Sequence, residues 1–111
     1  MTARSPAQLR ARSMALHAMV IEKLRRQPEL LARASETLQR WHSQRAGASA
    51  SISSDWYEIL ASGMDAVAAA ALETSDRGDQ LRSASPLTAV LSDSERREFF
   101  EHWNERPRPR A

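Results

Sequence analysis

The chain has 111 residues, no cysteine, three glycines, five prolines and a formal net charge of +2. Lacking cysteine, it has neither a disulfide framework nor a thiolate metal site, and three glycines are too few for a glycine-rich phosphate loop. Its longest apolar run, VAAAAL from Val67 to Leu72, is far too short to span a bilayer, and MTARSPAQLRARS lacks the apolar core of a secretory signal. A cytoplasmic protein without a membrane partner is expected.

The length suits a single small domain. Charge is spread unevenly along it: nine basic and three acidic residues up to Ser54, then four basic and eleven acidic from Asp55 to Glu105. Such an imbalance implies either internal pairing or a partner that reads one face.

In chain order, Ser5-Pro6-Ala7-Gln8 is a helix start, with serine as cap, proline at the first helical position and glutamine placed to close a capping box. Leu9, Leu16, Val20 and Leu24 continue it as an apolar stripe, and Pro28 ends it. A second helix, PELLARASETLQRWHSQ, carries Leu31, Ala34, Leu38 and Trp41 at helical spacing. The two predict a helical hairpin over residues 5–42.

Gly47 and a run of small polar residues predict a linker over 43–53. Asp55 and Glu58 then read as a capping box for a helix bearing Trp56, Leu60, Met64, Val67 and Leu72, with Gly63 as a candidate break. TSDRGDQLRSA is a polar connection holding one short helix around Leu81. Ser85-Pro86 opens a helical turn, PLTAVL, and Ser92 to Glu95 form a further capping box before Phe99, Phe100 and Trp103. The C-terminal helices occupy 54–104, and 105–111 is a basic Pro/Arg tail. No segment alternates with a period of two, so the expected fold is all-α with four to five helices.

His17, His42 and His102 stand singly, without ligand spacing, and no carboxylate pair is marked for acid–base work. No catalytic residue, metal or cofactor is expected, and the chain reads as a binding protein. Its candidate contacts are Trp41, Trp56, Tyr57, Glu58, Asp65, Phe99, Phe100 and Trp103. Adjacent aromatic residues on a helix diverge by about 100°. One of Phe99 and Phe100 is therefore expected in the core and the other outside, and the Trp56-Tyr57 pair must split likewise.

The segments LHAMVIEKLRRQPELLARASETLQRW (16–41), WYEIL (56–60) and SPLTAVLSDSERREFF (85–100) together resemble a group of small bacterial helical proteins. These are encoded beside zeta-type toxin kinases and related effector kinases, and the likeness spans Leu16 to Phe100. It implies an antitoxin or chaperone-like partner that wraps a P-loop zeta-type kinase and occludes its active site. It carries over no ligand-reading residue. An acidic face of Glu58, Asp65, Glu73, Asp76 and Asp79 would suit a cleft built for phosphates. The alternatives are a helical DNA-binding regulator, suggested by Arg10, Arg12, Lys23, Arg25 and Arg26 on the first helix, and a structural adaptor subunit.

Overall fold

The computed structural model describes residues 5–44 and 50–105; residues 45–49 of the expected linker and 106–111 of the expected tail lie outside the described residues. The fold is all-α. Six helices run in the order α1 (Pro6–Arg26), α2 (Leu31–Gln44), α3 (Ala50–Ser62), α4 (Met64–Ala71), α5 (Asp76–Ser83) and α6 (Asp93–Glu105). Two short 3-10 turns, Pro28–Leu30 and Leu87–Val90, complete the order, and no strand occurs among the described residues.

The expected start signals at both ends of the chain operate locally. Ser5 Oγ accepts from the Gln8 N–H at 3.1 Å while Ser5 N–H donates to Gln8 Oε1 at 2.8 Å, a reciprocal capping box at α1. Ser92 and Glu95 repeat it at α6, at 3.1 and 2.8 Å. The start expected at Asp55 is not one. α3 begins at Ala50, since no glycine or proline between Ala50 and Ser62 interrupts a helix running upstream. Asp55 lies inside α3, where its carboxylate accepts from Arg77 Nη1 at 3.1 Å. Helix also occupies both edges of the expected 43–53 linker, because α2 reaches Gln44.

Six helices replace four or five because Gly63 divides the third expected helix. Its φ of 103° and ψ of 178° are open to glycine and costly for other residues, so the chain turns there and restarts as α4. α5 is capped by Ser75, whose Oγ accepts from the Gly78 N–H at 3.2 Å.

The expected α1–α2 hairpin is opened by a wedge. α1 and α2 have no extended contact of their own, and the Leu87–Val90 turn packs against both. Leu87 and Val90 are fully buried, and Ser85, Pro86 and Leu91 beside them are buried too. They meet Val20, Ile21 and Leu24 of α1 and Ala34 and Leu38 of α2 in one core. α3 adds Trp56, α5 adds Leu81, and alanine-rich α4 adds Val67, Ala68, Ala70 and Ala71. The Trp56 indole N–H donates to the Leu81 carbonyl at 3.0 Å, which satisfies its polar atom inside the core.

Removing the wedge side chain should be costly. Leu87→Ala is expected to lower stability by about 2–5 kcal/mol in urea unfolding followed by circular dichroism. Gly78→Ala should also destabilise, by about 1–3 kcal/mol, since a β-carbon there would stand 2.1 Å from the Glu73 carbonyl oxygen.

Candidate functional site

The basic and acidic halves of the chain meet within the molecule. Arg10 Nε of α1 donates to both carboxylate oxygens of Asp79 at 2.9 and 3.0 Å. Lys23 Nζ donates to Glu95 at 2.5 Å, and Arg25 reaches Asp65 at 3.6 Å. Thus α1 cations face acids of α5, α6 and α4. Solvent screens the Arg10–Asp79 and Arg25–Asp65 pairs, and of these cations only Lys23 is largely buried, so the contacts set orientation more than stability. The same pairing engages most of the acidic face expected to imitate phosphate. Asp79 is held by Arg10 and Arg82, Asp76 lies 3.8 Å from Arg10, and the Glu73 carboxylate accepts from Ser75. The Glu58 carboxylate alone of the five has no partner among the described residues, and its backbone carbonyl accepts from Ser62 Oγ at 2.8 Å.

A buried polar centre lies beneath these pairs, and nothing in the sequence pattern announced it. Arg82 is 5% exposed. Its Nη1 donates to the carbonyls of Ala71 at 3.1 Å and Glu73 at 2.6 Å, and its Nη2 to Asp79 at 2.7 Å. The guanidinium therefore closes the C-terminal end of α4 while its charge is matched by a carboxylate, as a buried cation requires. His17 of α1 is 2% exposed, with Nδ1 2.8 Å from the Ser13 carbonyl. That contact puts the proton on Nδ1 and leaves Nε2 an acceptor. Among the described residues, His17 Nε2 and Arg82 Nε are both buried without a hydrogen-bond partner. Burial holds the imidazole below its ordinary pKa of 6.5, and the charge of Arg82 pushes the same way against the Ser13 hydrogen bond.

α6 stands apart from this body. It makes no extended contact with any other element among the described residues. Glu95 near its start meets Lys23, and Phe100 further along lies under Arg12, so α6 runs back along α1 in the opposite direction. Phe99 and Phe100 meet edge to face with ring centres 5.2 Å apart, and Trp103 stacks on Phe99 at 5.9 Å. All three are half-buried, and none joins the core. The expected division, one phenylalanine inside and one outside, is thus corrected. The Leu87–Val90 turn already fills the core position, and α6 covers only the flank of α1.

The other candidate residues scatter. Trp56 is wholly buried, so it is a core residue rather than a surface contact, while its neighbour Tyr57 points outward at 36% exposure. Trp41 is half-buried against the core. Glu58 and Asp65 are exposed on α3 and α4. The structure therefore brings together Phe99, Phe100 and Trp103, and adds one residue not anticipated as part of the cluster, Arg12, whose guanidinium carbon lies 5.3 Å from the Phe100 ring centre. Among the described residues no group of three His, Asp or Glu side chains is placed to hold a metal ion, and no helix is long and apolar enough to cross a membrane.

The chain matches no protein-family model, no curated protein and no solved structure.

Two outcomes follow from this geometry. The folded state holds the His17 pKa below its unfolded value, so the unfolded chain takes up the proton first as pH falls. Stability is then complete above about pH 6.5 and declines below it, well before Asp79 and Glu95 titrate, whose pKa values Arg10 and Lys23 hold below 3.8 and 4.5. Urea midpoints measured from pH 7.5 to 5 should show the decline, and His17→Gln should flatten it. Secondly, Phe99→Ala and Phe100→Ala should each lower the melting temperature far less than Leu87→Ala, because neither ring supports the core.

Proposed function

We propose that this chain is a cytoplasmic interaction protein that docks another protein through the aromatic face of α6, and that the partner is a zeta-type toxin kinase whose active site it occludes. One observation carries the docking reading: the only phenylalanines of the chain, with Trp103, sit half-buried on a helix outside the core. Aromatic side chains of this kind are the usual anchors of protein interfaces, where a few of them supply most of the binding energy. The partner class rests on the resemblance of residues 16–41, 56–60 and 85–100 to antitoxins of such kinases. An antitoxin needs no catalytic group of its own. It needs a stable helical body and an anchor that reaches outward, and α6 on the α1 flank suits that part.

The test is coexpression with the kinase encoded beside this gene. The two chains should purify together, the complex should phosphorylate no substrate, and host growth should recover from the kinase alone. Phe99→Ala combined with Trp103→Ala should weaken the complex by about tenfold or more while the isolated chain still melts cooperatively. A neighbouring locus without a phosphate-loop kinase, or a kinase that purifies without this chain, would refute the partner assignment.

A further inference from the structure

Among the α1 cations, Arg10 pairs with Asp79, Lys23 with Glu95, Arg25 with Asp65 and Arg26 with Glu22. Arg12 is the exception. It has no carboxylate partner and no hydrogen bond among the described residues, and its one described contact is with the face of Phe100. One turn before it, Leu9 is 44% exposed, the most exposed large apolar side chain among the described residues. Leu9, Arg12, Phe99 and Phe100 thus bring an uncovered leucine, an unmatched guanidinium and two half-buried rings to one edge of the molecule, where α6 folds back over the start of α1.

We propose that this edge is a docking surface for a protein segment that presents a carboxylate beside an apolar side chain. The inference deepens the reading of α6 as a docking helix and rests on it. Charge complementarity selects the occupant. A guanidinium offers a planar fork of N–H donors that a carboxylate fills with two parallel hydrogen bonds, and the aromatic neighbours exclude the water that would weaken them. A nucleic-acid backbone fits less well. It would carry repeated phosphates past the exposed Glu98 and Glu101 of α6, whereas a single carboxylate needs only Arg12.

The test uses the full chain and a phage-displayed library of random short peptides, panned in parallel on the wild type, Arg12→Gln and Phe99→Ala. The wild type should select peptides in which Asp or Glu adjoins Trp, Phe or Leu. Arg12→Gln should lose the acidic preference and keep the apolar one. A synthetic peptide from the wild-type pool should bind Arg12→Gln about tenfold more weakly by calorimetry, and Arg12→Lys, which keeps the charge but not the fork, should recover part of the loss. Undiminished acidic selection by Arg12→Gln would overturn the carboxylate assignment and leave the docking role of α6 standing. Peptides that bind Phe99→Ala as tightly as the wild type, or no selected peptide at all, would overturn both. Duplex DNA bound by the wild type and lost in Arg12→Gln would assign the guanidinium to phosphate instead.

Discussion

Leu87 and Val90 are fully buried on a four-residue turn that packs against both α1 and α2, two helices without an extended contact of their own. Side chains of that size contribute about 1.5–3 kcal/mol each when removed from water. Here they also set geometry, because they hold the hairpin arms apart and give each arm an apolar surface to close on. Ser85 makes the turn possible: its hydroxyl accepts from the Leu87 N–H at 3.1 Å, which satisfies a donor that burial would otherwise strand. The N-terminal hairpin is therefore completed by residues some sixty positions further along the chain, and the two halves of the sequence form one core.

Arg82 plays the polar counterpart of that wedge. Two carbonyls at the end of α4 and one carboxylate of α5 surround its guanidinium, and Arg10 reaches the same carboxylate from α1. Arg82 is buried while Asp79 stays partly exposed, so the pair adds little net stability compared with an apolar replacement, yet removing Asp79 is costly because the buried guanidinium loses its carboxylate. The consequence is orientation. α1, α4 and α5 meet in one arrangement that makes these contacts, and His17 is shut in beside them in its neutral form.

With the core closed by the Leu87–Val90 turn, α6 has no core position to fill. Its capping box serves two ends at once, since Glu95 accepts from both the Ser92 N–H and Lys23. That single carboxylate starts the helix and fastens it to α1, while at the aromatic end the Arg12 guanidinium lies against Phe100. A helix fastened at its start, with its aromatic rings outside the core, has the arrangement that the proposed docking requires.

Local chemistry made much of this legible in advance. The all-α class, the caps at Ser5 and Ser92, the break at Gly63 and the divergence of Trp56 from Tyr57 depend on neighbours within a few residues, so spacing and residue type determine them. The start at Asp55 failed for the complementary reason. An acid that resembles a cap is equally able to pair with a distant arginine, and Arg77 lies twenty-two positions away. The insertion of Leu87 and Val90 between α1 and α2, the burial of His17 and Arg82, and the exclusion of Phe99 and Phe100 from the core were decided only in three dimensions. Periodicity tells which face of a helix is apolar, but several apolar segments compete to cover each face, and packing volume and polar satisfaction choose among them.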